Sequence, residues 1–298
     1  MDSKERFILS TSVVFAFVLP LFFANISLGD ELSEQDEFEF VFANDVFFHS
    51  DQGYTSGLGI LFYPALSPYT FRFGQDIYTP ENRKTTIPVY GEHPYGAWLY
   101  IAADYDFEPY FYFQNTISLD IGVVGDIALG EEVQNLVHAL NDSRKGKGWD
   151  SQLNSELGMY LSFQSEFKHP WLRWGITEGI QFALVPYGKI RAGTIFYDYS
   201  AGASVRLSYN SKSSTALIQK VYVQASCEGR KVYENIFLEG NDNPYFVDIE
   251  DEVSEIRAET GIEFGSYKLS FAYVEVSEEY TTQKEPSKYG ILKFSTRF

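Results

Sequence analysis

Beyond residue 29 the chain alternates apolar and polar side chains with a period of two. Phe38, Phe40 and Phe42 are interleaved with Glu37, Glu39 and Val41, and Leu58, Ile60 and Phe62 stand opposite Gly57 and Gly59. Tyr69, Phe71 and Phe73 repeat the pattern. A period of two puts alternate side chains on opposite faces of an extended strand. The spacing predicts strands at about 38–42, 55–63, 69–77, 95–105, 110–124, 153–167, 171–184, 195–209, 219–238, 254–264, 267–276 and 287–298. The segment 219–238 reads either as a hairpin broken at Glu228-Gly229 or as one long strand. A barrel with both chain ends on one side needs an even number of strands, so the single strand is taken, giving twelve. Loop lengths alternate too. Leu66-Ser67-Pro68, residues 106–109, Lys168-His169-Pro170, residues 210–214 and Gly265-Ser266 make short links, while the opposite ends carry long polar loops, including 79–91 and 187–193.

One stretch departs from the alternation. Within residues 120–149, Val133, Leu136, Val137 and Leu140 recur at three- and four-residue spacings, as on the apolar face of a helix. Glu131, Gln134 and His138 share the other face. Docking of the aliphatic side would present an acid, an amide and an imidazole together; a plain solvated surface helix has the same spacing.

Composition turns the strands into a membrane wall. Residues 1–29 carry Lys4 and Arg6, an apolar run from Phe7 to Phe23 and the small-residue exit Ser27-Leu28-Gly29, the pattern of a secretory signal peptide. A membrane anchor is the competing reading, against which Pro20 and the exit argue. No later run approaches the ~18 apolar residues of a transmembrane helix. Yet aromatics make up 17% of the 298 residues, with 26 Phe and 22 Tyr. That surplus suits a barrel with a greasy belt and aromatic rims, and the chain ends on Phe298. The single cysteine, Cys227, permits no internal disulfide. A net charge of −18 argues against nucleic acid as a partner. The expected fold is all-β: a twelve-stranded antiparallel transmembrane β-barrel over residues 30–298, with one extracellular-loop helix, in the outer membrane of a Gram-negative cell.

Among four histidines, His169 reads as a turn residue before Pro170, and His49 and His93 as solvated loop imidazoles. His138 is set apart by its helical partners and by lying at the same end as Asn44, Asp45 and Thr55. The blocks Phe42-Ala43-Asn44-Asp45, Tyr54-Thr55-Ser56-Gly57, Gln75-Asp76-Ile77-Tyr78, Asp120-Ile121-Gly122-Val123-Val124-Gly125 and Glu132-Val133-Gln134-Asn135 with His138, then Trp149 and Gln152, resemble the lipid A 3′-O-deacylase family of outer-membrane barrels. The resemblance runs from about residue 38 to the C-terminus and is carried by pattern rather than identity beyond Gln152.

The resemblance implies a twelve-stranded barrel that uses calcium to hydrolyse the 3′-linked acyloxyacyl ester of lipid A. It makes His138 the base that activates water, places Asp45 and Asn44 at a Ca2+ site, and sets Thr55 and Gln134 at polar active-site positions. Lys84, with Arg83, falls where a basic loop meets the phosphorylated sugar. Two positions depart from the family pattern: Arg144 stands where an acid follows the histidine by six residues, with Asp142 a possible substitute, and Gly125-Asp126 replaces Gly-Pro, so that Asp126 could cap the helix. The expected partners are lipopolysaccharide and outer-membrane lipids, with the protein acting as a monomer and its site facing the cell exterior. A serine-dependent outer-membrane phospholipase and a non-enzymatic channel or structural barrel are the alternatives.

Overall fold

The computed structural model describes residues 34–48, 53–110, 112–141, 146–213, 216–242 and 244–298, of which 137–141 are described by their backbone alone. One antiparallel sheet contains β1 (Glu37–Asn44), β2 (Tyr54–Tyr63), β3 (Tyr69–Tyr78), β4 (Gly96–Tyr110), β5 (Phe113–Val124), β6 (Glu156–Phe167), β7 (Arg173–Thr177), β8 (Ile180–Gly193), β9 (Phe196–Asn210), β10 (Lys220–Asn235), β11 (Glu252–Phe264), β12 (Tyr267–Val276) and β13 (Ser287–Arg297). It closes on itself: β1 pairs with β13, and β6 with β8. Among the described residues, twelve strands complete the wall, as the parity of the chain ends requires. Closure satisfies backbone groups that an open edge would leave bare in hydrocarbon.

The thirteenth strand explains where sequence boundaries failed. Residues 173–177 of β7 pair with 180–183 of β8, while 187–193 of β8 pair with 160–166 of β6. Thus β7 prolongs β6 beyond a short 3-10 turn at Pro170–Leu172, and the chain reverses at Glu178-Gly179, where Gly179 has φ +80°. The turn expected at Lys168-His169-Pro170 is therefore a break within one course of the wall. The loop expected at 187–193 is strand, because Tyr187, Lys189 and Arg191 face a polar interior and so read as loop residues. Similarly, β4 continues through 106–109 with a register shift near Pro109, where a bulge tolerates the missing N–H. β10 is one unbroken strand across Glu228-Gly229, ending in a helical turn at Ile236–Glu239.

The wall has two chemically distinct faces. Outward rows such as Tyr69, Phe71 and Phe73 on β3, or Leu207 and Tyr209 on β9, are exposed and apolar or aromatic, as a wall bathed in lipid requires. Inward rows form a lattice of ion pairs, including Arg72 with Asp104 (2.9 Å) and Asp120 (3.0 Å), Arg230 with Glu228 (3.0 Å) and Lys268 with Glu37 (2.8 Å). Toward the long-loop end this lattice gives way to an apolar plug. Trp98, Val124 and Phe196 point inward from the strands and meet Leu153, Ile195, Ile236 and Phe237 from the loops. Tyr78 stacks on Phe237 at 4.0 Å.

Candidate active site

A second apolar cluster lies on the other side of the same strands. Ile77 of β3 and Ala97 of β4 belong to the outward rows, yet both are buried, packed with Tyr95, Ala128 and Trp149. What covers them is the β5–β6 loop, which carries α1 (Gly130–Asn141) against β3 and β4. The helix therefore sits outside the barrel, at the end with the long loops.

Its attachment is specific. Gly125 adopts φ +78° and Leu129 the left-handed region at φ +58°, turning the chain through the 3-10 segment Asp126–Ala128 into the helix. Asp126, expected to cap the helix, instead begins that 3-10 turn and accepts Leu129 N–H through its backbone carbonyl, so that Leu129 stands directly before the helix. At Gly130 a Cβ would lie 2.5 Å from the Ala97 Cβ and 2.6 Å from the Trp149 ring, so only glycine lets the helix start press on the wall. Gln75 Nε2 donates to Ala128 O at 2.6 Å, and Gln75 is 6% exposed in a row whose members Phe71 and Phe73 are 48% and 52% exposed.

The helix docks only part of the expected face, and with it a residue of the other face. Leu136, placed by its spacing on the buried apolar face, is 64% exposed, whereas Gln134 is 3% exposed and Val133 packs against the cluster on the wall. The physical reason is the solvent. On a lipid-facing wall an aliphatic side chain can point outward, and polar groups gain from being enclosed. Gln134 Oε1 accepts from Trp149 Nε1 at 2.9 Å; its Nε2 has no partner among the described residues. A buried donor left unmet costs about 1–3 kcal/mol, which a folded chain retains where a ligand completes it.

The other residues expected at the site gather at the same end. Asn44 closes the outward row of Phe40 and Phe42 on β1, is buried, and caps a 3-10 turn at Asp45–Phe47 by accepting Val46 N–H at 2.8 Å. Asp45 is 6% exposed. Asn44 pairs with Ser56 of β2, next to the register shift at Thr55, and Thr55 Oγ1 lies 2.6 Å from Thr79 Oγ1 at the end of β3. With adjacent strands about 4.8 Å apart, β1 lies on the order of 10 Å from β3, where α1 docks.

The basic loop joins the same assembly: Arg83 O accepts from Lys147 N at 3.1 Å, and Thr86 O from Ser151 Oγ at 3.0 Å. Lys84 is exposed and Arg83 half-buried. Burial raises the Tyr95 phenol above its ordinary pKa, and the positive charge of Arg83 partly offsets this. His138 lies on α1 one turn beyond Gln134, but its side chain, like His49, Asp142 and Arg144, lies outside the described residues. His93 is not a solvated loop imidazole; it is fully buried against Tyr280.

Asp45 and Asn44 offer a carboxylate and an amide oxygen, hard donors of the kind calcium takes. Among the described residues no group of three or more His, Cys, Asp or Glu side chains could hold a metal. The donor set fits a hard cation completed by backbone carbonyls, water and substrate oxygens.

A family model described as outer membrane protein LpxR matches residues 9–298. The chain belongs to that family. This is the lipid A 3′-O-deacylase family whose motifs it resembles. Among solved structures it is similar to LpxR from Salmonella typhimurium, with a TM-score of 0.78 and 22% identity over 88% of this chain and 100% of that one. Looser likenesses are the β domain of the Bordetella autotransporter BrkA (TM-score 0.46, 8% identity, 90% and 100% covered) and the KdgM porin (0.41, 7%, 88% and 99%). No curated protein matches. As a member of the LpxR family, the chain is an outer-membrane β-barrel.

Sequence reading named Asn44, Asp45, Thr55, Gln134, Arg83 and Lys84, and the structure collects them around one end of the outer wall. Gln75 and Trp149 stood only among the resembling blocks, without a role, and Thr79 had none. The usable signal for Gln75 was a polar residue interrupting an aromatic outward row.

Proposed function

We propose that this LpxR-family protein is a calcium-dependent lipid A 3′-O-deacylase that works in the outer leaflet, its site facing the cell exterior. The observation that carries the reading is a helix fastened to the lipid-facing side of the wall, with Gln75 and Gln134 buried between helix and wall and Asn44 and Thr55 buried at the same end of the neighbouring strands. A lipid-embedded ester can reach such a site with its acyl chains still in hydrocarbon, whereas a lumenal site would exclude them. The apolar plug across the mouth argues against a channel.

In this mechanism His138 takes a proton from water near neutral pH, where an imidazole is available as a base. The water oxygen bonds to the ester carbonyl carbon, and collapse of the tetrahedral adduct breaks the acyl C–O bond. The imidazolium returns its proton to the sugar oxygen, releasing the acyloxyacyl chain as a carboxylic acid. Calcium held by Asp45 and Asn44 would supply positive charge to the developing oxyanion. Lys84 and Arg83 meet lipid A phosphate as charge partners. Residues 1–29 serve as the export signal, and one copy suffices for turnover.

The test is mass spectrometry of lipid A incubated with the purified barrel across a calcium titration. Loss of one 3′ acyloxyacyl group, dependent on calcium, is expected; Asp45→Ala raises the calcium requirement steeply or ends turnover. Intact lipid A would overturn the activity, and an unchanged titration in the variant would remove Asp45 from the metal site.

A further inference from the structure

The one hydrogen bond that Gln134 makes among the described residues fixes which way its amide faces. An indole nitrogen only donates, so the Gln134 oxygen must be the atom 2.9 Å from Trp149 Nε1, and the NH2 group is turned away from it. That NH2 is buried and meets no acceptor among the described residues. Without the indole, the carboxamide could rotate its two ends freely.

Trp149 is itself held tightly. It is 2% exposed, opens the 3-10 turn Trp149–Ser151, and rests against the Tyr95 ring at 5.0 Å. Its ring fills the space above Gly130, and Gly148 before it leaves no room for a side chain, since a Cβ there would lie 2.5 Å from Tyr95. The helix start, the indole and the segment that returns toward β6 form one packed unit. Its polar product is a single oriented N–H donor.

We propose that Trp149 is a positioning residue for the ester hydrolysis, holding the Gln134 carboxamide so that Nε2 donates to the substrate carbonyl oxygen as negative charge develops on it. This rests on the deacylase reading. A donor oriented before substrate arrives needs no rearrangement during the reaction, which is why such groups act mainly on turnover rather than on substrate affinity.

The experiment compares kcat and KM for lipid A deacylation in the full-length protein, Trp149→Phe, Gln134→Glu and the double variant, with heat-modifiable migration reporting the folded barrel. Gln134→Glu keeps an acceptor for the indole and removes the donor. Each single variant is expected to lose about 10–100-fold in kcat with KM little changed. The double variant should be no slower than Gln134→Glu, because the indole acts only through the amide. Replacing Trp149 by benzothienylalanine, which keeps the ring shape and lacks the N–H, should also lose about 10–100-fold in kcat, separating the lost N–H from any packing change caused by the smaller Phe ring. A full kcat in the benzothienyl variant, or losses that multiply in the double variant, would overturn the proposal while leaving the deacylase intact. A wild-type barrel that leaves lipid A untouched overturns both.

Discussion

A glutamine in a lipid-facing row is costly unless its amide is enclosed and bonded. Gln75 meets that condition through Ala128 O, and so ties the foot of α1 to β3. Gln75→Leu suits the row on composition alone but frees the helix start. A shift of about 1 Å at a catalytic group can cost on the order of 100-fold, so turnover should fall at least tenfold with the barrel still folded. Steady-state kinetics on the purified variant check this, and unchanged kcat would mean that the glutamine does not position the helix. Alternation in the sequence exposes Gln75, as it exposes Asn44 after Phe40 and Phe42, because a polar residue stands where lipid is the neighbour. The partner of that residue is not legible, since Ala128 O belongs to a loop 53 residues away.

At the scale of elements, the helix was legible and its orientation was not. Periodicity places Leu136 and Gln134 on opposite faces, but which face docks depends on the medium outside, and here Gln134 goes in. The loops carry a second lesson in His93. It packs on Tyr280 of the β12–β13 loop, beside the Thr282 to Gly91 hydrogen bond and the Lys284–Glu81 pair at 3.6 Å. Burial lowers its pKa from 6.5 to about 4, partly offset by the bond between Nδ1 and Pro94 O. A folded-state pKa below the unfolded one adds stability that is complete above pH 6.5 and lost as pH falls toward 4, on the order of 3 kcal/mol in all. Hydrogen exchange of residues 79–95, corrected for intrinsic rate, should show protection falling across that window. His93→Gln should flatten the dependence; the same acid sensitivity in that variant would assign it to other groups.

For the whole molecule, the strand count followed from parity and survived two misplaced boundaries, because β7 and β6 are one course of the wall interrupted at His169-Pro170. The lumen was harder to read. Arg72, Asp104 and Asp120 are far apart in sequence, and the inward charges of β8 imitate a loop. Closed sheet, ion-pair lattice and apolar plug together leave the outer wall as the surface on which the loop helix docks, and that is the surface the proposed hydrolysis uses. His138 on that helix is the proposed base for lipid A cleavage, and mass spectrometry of lipid A from cells producing either the wild type or His138→Ala decides whether it acts so. Lipid A lacking the 3′ acyloxyacyl group is expected with the wild type, and intact lipid A with an equally abundant, heat-modifiable variant. Deacylation by the variant, or none by the folded wild type, would contradict that role.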